Sequence, residues 1–152
     1  MSSSRGITVF KTFPKELFRV NNGHRVQLRP WSPDRSTYDI VADDEEVVKP
    51  KALDPLGYIA SMRPNTPYQQ SLVSWRFRGD HVIVYSVPKG TILPDDLLLV
   101  HERSDHYSLQ PGTKMTLNDL NSRLYRFFVA NATRLSREEW LSAYPRATDK
   151  SF

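Results

Sequence analysis

The sequence predicts an α+β domain, with two small, mostly antiparallel β-sheets packed face to face and a C-terminal helix against one of them. Two observations carry this expectation. Val82-Ile83-Val84-Tyr85-Ser86-Val87 and the run from Leu97 to His101 are short, β-branched or aliphatic, and bounded by proline and glycine, as buried strands are. Beyond Thr116 the period changes. Leu117, Leu120, Leu124, Phe127 and Phe128 recur at helical spacing and mark one packed face. A length of 152 residues suits a single domain spanning 1–152.

Residues 1–6 read as a tail. Ile7-Thr8-Val9-Phe10 and Leu17-Phe18-Arg19-Val20 are strand candidates separated by Pro14, and Asn21-Asn22-Gly23 closes the second with a turn. Arg19 interrupts an apolar strand and has two readings. It is either an edge-strand arginine pointing at solvent or a fork projecting into a cleft toward an anion. From 24 to 67 the order is poorly specified. Trp31-Ser32-Pro33-Asp34-Arg35-Ser36 is turn chemistry, Asp43-Asp44-Glu45-Glu46 reads as a solvated acidic surface, and Lys49-Pro50-Lys51 follows. A long irregular segment of this kind is more often functional than core.

Gln69 to Phe77 reads as a strand with Trp75 and Phe77 in the core, and Arg78-Gly79-Asp80 turns it back. Pro88 and Gly90 stop the Val82–Val87 strand, and Pro94-Asp95-Asp96 makes a second turn. His106 to Gln110 is a further strand. Its alternation puts His106, Ser108 and Gln110 on one face and Tyr107 and Leu109 on the other. Such a polar face lines either water or a site. Thr116 with Asp119 resembles a capping box opening a helix over 116–134. Ser136-Arg137-Glu138-Glu139 is a second box, opening a short helix near 137–143 that carries Trp140 and Leu141 and ends before Pro145.

Composition removes several chemistries. Without cysteine there is no disulfide, no thiolate nucleophile and no cysteine zinc site. The four histidines lack carboxylates at metal-ligand spacing, so no metal is expected. No nucleophile elbow, phosphate-cradling glycine loop or Rossmann fingerprint occurs. No apolar run reaches membrane-spanning length, and the N-terminus lacks the apolar stretch of a secretory signal. No classical signal peptide or membrane span is therefore expected, and action in the cytosol is the expectation. The net charge of +4 leaves polyanionic partners open. Trp75-Arg76-Phe77-Arg78 interleaves aromatic and basic residues as single-strand nucleic-acid binders do. A half-buried strand with a basic outer face gives the same pattern.

Three stretches together resemble a known family. They are Val87-Pro88-x-Gly90-Thr91-x-x-Pro94-x-Asp96-Leu97, then His106-Tyr107-Ser108-Leu109-x-Pro111-x-x-x-Met115, then the helix with Leu124-Tyr125-Arg126-Phe127-Phe128-Val129-Ala130-Asn131-Ala132. They are similar to the NAD-dependent cytotoxic effectors of the type VI secretion system (the family of exported effector two), which has bacterial and fungal members. The match runs over about residues 81–132. Leu17-Phe18-Arg19 looks like its early strand, and Ser71-Leu72 like its hydroxyl-bearing strand.

The resemblance implies the α+β fold of ADP-ribosyltransferase toxins, with NAD as substrate in a cleft between the sheets walled by residues 24–67. It implies Arg19, Ser71 and Tyr107 as NAD-binding residues and Ser71, His106 and Gln110 as catalytic ones. An unidentified cellular target and a cognate acidic-surfaced immunity protein are implied as partners. Gln70 stands where the family tends to have threonine, and no Glu-x-Glu pair occupies the late strand. The implied activity is therefore NAD cleavage with transfer to an unidentified target or to water. Two other readings remain at this point. One is a non-catalytic nucleic-acid-binding module using Arg76, Arg78 and Trp31, and the other is a toxin acting by protein contact alone.

Overall fold

The computed structural model describes residues 8–23, 26, 47–48 and 60–150. The N-terminal tail, the Trp31 turn, the acidic run and Lys49-Pro50-Lys51 lie outside the described residues. In chain order the elements are β1 (Thr8–Phe10), β2 (Leu17–Asn22), β3 (Val47–Val48), β4 (Ala60–Met62), α1 (Pro67–Ser71) running into a π-helical turn (Leu72–Arg76), β5 (Val82–Val87), β6 (Leu97–Arg103), β7 (His106–Pro111), β8 (Met115–Thr116), α2 (Leu117–Asn131), β9 (Thr133–Ser136) and α3 (Arg137–Ala143). One sheet has the order β1-β6-β7-β4 and a second the order β2-β5-β9. β3 and β8 form a separate pair. Every pairing is antiparallel. This is the α+β architecture with two antiparallel sheets that the sequence predicts.

Three local expectations are corrected. The strand expected over 69–77 is helical over 69–76, with only Phe77 extended, because Thr66 and Pro67 start a helix just ahead of it. Thr66 Oγ1 accepts the Gln69 N–H, and Pro67 occupies the first turn, where no donor is missed. The helix then widens into the π turn, closed by Phe77 N–H to Leu72 O at 2.9 Å. As a result Trp75 is 57% exposed and not core. The second correction is that residues 60–62 form a strand where an irregular segment is expected. The third is that α2 stops at Asn131. Ala132 is extended, and Thr133, β-branched, begins a strand that pairs with β5.

The main core lies between the sheets and α2. Leu17, Tyr85 and Val87 face inward from the second sheet, and Ala60, Met62, Leu97, Leu99 and Leu109 from the first. Leu120, Leu124, Phe127 and Phe128 from α2 meet them, with Phe13 stacked on Phe127 at 5.9 Å. Asp119 N–H donates to the Thr116 hydroxyl, fixing where α2 begins. A smaller core covers the other face of the second sheet, built from Phe18, Val73, Val84 and Trp140. Phe18 meets Trp140 edge-on at 5.3 Å, and a full capping box at Ser136 and Glu139 opens the helix that carries Trp140.

Candidate functional site

A backbone seam joins the two sheets among the described residues. Phe18 on β2 and Arg63, just past β4, exchange backbone hydrogen bonds of 2.7 and 3.0 Å, and the bridge goes no further. Where the strands part, the Arg19 side chain crosses over, and its Nη1 donates to the Ser61 carbonyl at 3.2 Å. Arg19 is only 9% exposed, so the reading of it as a solvent-pointing edge residue is overturned. A buried guanidinium needs acceptors, and the seam supplies one.

Ser61 sits opposite Ser108 in the β4–β7 register, which puts it on the polar face of β7 with His106, Ser108 and Gln110. Its hydroxyl oxygen lies 2.9 Å from His106 Nε2. On the same face Gln110 Nε2 donates to Ser108 Oγ at 3.0 Å, and Ser108 Oγ donates to Glu102 Oε2 at 2.5 Å. Glu102 reaches this row through a bulge. The β6–β7 register shifts between His101 and Arg103, so Glu102 has no cross-strand partner and its carboxylate turns to the polar face.

His106 is buried, and that burial lowers its pKa from 6.5 to about 3, with Arg63 and Arg103 adding to the effect. The Glu102 carboxylate, 3.8 Å from Nδ1, favours the imidazolium. Burial and the two guanidiniums outweigh it, so the ring is neutral at pH 7 and the contact is polar rather than an ion pair. A neutral imidazole has one N–H and one acceptor nitrogen, which suits it to orienting or receiving a hydroxyl proton.

The members of the row differ in burial. His106, Ser108 and Gln110 are almost wholly buried, whereas Ser61 and Glu102 are half-buried and form its accessible rim. Behind the rim, Asp105 accepts a hydrogen bond from Thr66 Oγ1 and lies 3.4 Å from Arg63 Nε, tying the β6–β7 turn to the start of α1.

Of the residues expected from sequence, Arg19, His106 and Gln110 lie along this connected set. Tyr107 is on the opposite face of β7, stacked on His101 at 4.4 Å and packed into the main core. Ser71 ends α1 and is on no strand; its hydroxyl donates to Tyr68 O and accepts from Arg76 Nε. Ser61 and Glu102 are additions. Ser61 lies in a short run, Ala60-Ser61-Met62, whose apolar flanks are a faint strand signal. Nothing in the sequence marks the bulge that turns Glu102.

Among the described residues no helix is long and apolar enough to cross a membrane. No curated protein matches the chain. A family description does match, covering residues 15–140 and thus the seam, the row and most of both cores. On that match the chain belongs to the Tse2 ADP-ribosyltransferase toxin family.

Proposed function

We propose that the protein binds NAD at the seam between the two sheets and cleaves its nicotinamide–ribose bond, acting as a toxin in the cytosol of its target cell. The observation that carries this reading is the link from Arg19 through Ser61 to His106, joining the two sheets in a member of this family. The groups at hand fit such a substrate. Arg19 offers a permanent cation for pyrophosphate, and the rim offers a hydroxyl and a carboxylate.

In the reaction the bond between the ribose anomeric carbon and the nicotinamide nitrogen breaks. Nicotinamide leaves neutral with the electron pair. The anomeric carbon, briefly oxocarbenium-like, takes the oxygen of water, or an oxygen or nitrogen of an unidentified target, and that acceptor gives up a proton. In this reading Glu102 stabilises the positive carbon electrostatically. Ser108 is a positioning residue that holds its carboxylate, and Gln110 in turn holds Ser108. With its proton on Nδ1, facing Glu102, His106 leaves Nε2 to accept from Ser61 and so orients that hydroxyl toward the rim. Ser71 and Tyr107 stand apart from the row and take no part in this reading. A cognate immunity protein, if the producer makes one, would have to cover the rim to block it.

The test is NAD binding and nicotinamide release by purified protein, beside Arg19→Ala, Ser61→Ala and Glu102→Gln, each checked for an unchanged thermal melt. Release that falls by about 100-fold or more in Glu102→Gln, with binding kept, is the expected result. Wild-type protein that neither binds nor consumes NAD, even with cell extract as acceptor, would remove the reading.

A further inference from the structure

Two large aromatic side chains stand exposed next to each other, Tyr68 at 42% and Trp75 at 57%, and arginines alternate with them. The Arg63 guanidinium lies 4.8 Å from the Tyr68 ring centre. That of Arg76 lies 5.2 Å from the same ring and 4.4 Å from Trp75. The order along the surface is Arg63, Tyr68, Arg76, Trp75. The π turn makes this possible, because its wider coil turns Trp75 away from the core and keeps Arg76 over both rings. Arg76 is held there by its Nε bond to Ser71 Oγ at 3.0 Å. Arg137 fixes the end of the turn by donating to the carbonyls of Val73 and Phe77.

Beyond Trp75 the surface opens into a shallow cleft of about 620 Å³, lined by Asn22, Ser74, Arg78, Asp80 and Arg137 among others. Arg78 is exposed and pairs with no carboxylate among the described residues. Arg76 beside the cleft and Arg78 and Arg137 lining it, set against Asp80, make this end of the ladder positive.

We propose that the ladder and its cleft bind single-stranded nucleic acid, with bases stacking on Trp75 and Tyr68 and phosphates meeting Arg76 and Arg78. Every base has a flat face for an exposed ring, and stacking tolerates any sequence. A duplex keeps its base faces covered, so it is the poorer ligand. An acidic peptide satisfies the arginines but has no flat group for the rings. The proposal goes beyond NAD cleavage and does not depend on it.

The experiment is an anisotropy titration of the full chain against a labelled mixed-sequence single strand of about 12 nucleotides. The matching duplex and poly-glutamate serve as competitors. Saturable binding is expected, weakening steeply between about 50 and about 200 mM salt. Trp75→Ala should weaken it by about fivefold or more, since a stacked base is worth at least that factor. Arg78→Glu should weaken it and flatten the salt dependence. Both variants should melt as wild type does and release nicotinamide at the wild-type rate, which separates this surface from the row. The proposal is overturned by absent binding at low salt, by duplex binding as tight as single strand, or by Trp75→Ala without effect. Displacement by poly-glutamate at equal charge also overturns it and marks the surface as one for an acidic protein.

Discussion

On one face of β7, Tyr107 and Leu109 pack into the main core; on the other, His106, Ser108 and Gln110 are just as buried but bonded to polar partners. The two faces contribute to the molecule in different ways. Apolar burial stabilises in proportion to area, and losing a side chain there leaves a void as well. A buried hydrogen bond exchanges one made with water, so its net gain is small, and apolar side chains of the same shape would fold as well. Stability accounts for Tyr107 and Leu109. It does not by itself account for a row of three polar residues with a bulge that brings a carboxylate to them.

The largest effect that would sharpen this contrast belongs to the apolar face. Leu109→Ala should cost about 2–5 kcal/mol in denaturant unfolding. Any folded protein that remains should keep its nicotinamide release per molecule. A matching collapse of activity in the folded fraction would mean that the two faces are not separable.

Acid probes the other face. The native His106 ring stays neutral down to about 3, whereas the unfolded ring takes a proton near 6.5. A pKa depressed on folding means that the stability is intact above about pH 6.5 and falls as pH drops toward 3, by up to about 1.4 kcal/mol per pH unit. His106→Gln keeps a donor and acceptor without the titration. Unfolding curves from pH 7 to pH 4 should slope less for that variant, and parallel slopes would break the assignment.

Ser108→Ala removes the hydroxyl shared by Glu102 and Gln110. A loss of about 1–3 kcal/mol is expected, with a much larger relative loss of nicotinamide release. A variant that is destabilised but fully active would reduce the row to packing. The smallest effect is expected of Ser71→Ala, within about 0.5 kcal/mol of wild type and fully active. Inactivation there would move the site from β4 to α1.

How much of this the sequence shows depends on how local the signal is. β5, β6, β7 and α2 are legible because each carries its own period and its own stop: Pro88 and Gly90, Pro94 to Asp96, the Thr116 cap. Arg19 and His106 are legible because a charge in an apolar strand and a polar strand face both break a pattern. α1 is misread because the deciding residues, Thr66 and Pro67, sit before the run and look like loop chemistry. Ser61 is missed because β4 has three residues, too few for any period, and its strand character comes from pairing with β7. Glu102 is missed because a bulge is a property of the pairing and leaves no mark on one strand alone.

The sheet order β1-β6-β7-β4 also bears on how the molecule can be made. Neither of its two N-terminal strands touches the other. β1 waits for β6, and β4 for β7, so both gather around a hairpin that comes later in the chain. A chain emerging from the ribosome has completed Arg19 and Ser61 well before it has the strand that gives Ser61 its place. The Ser61–His106 contact closes only once residues up to Pro111 are free to fold, and the second sheet is finished only with Ser136. A truncated or half-synthesised chain therefore carries the residues of the row without the row.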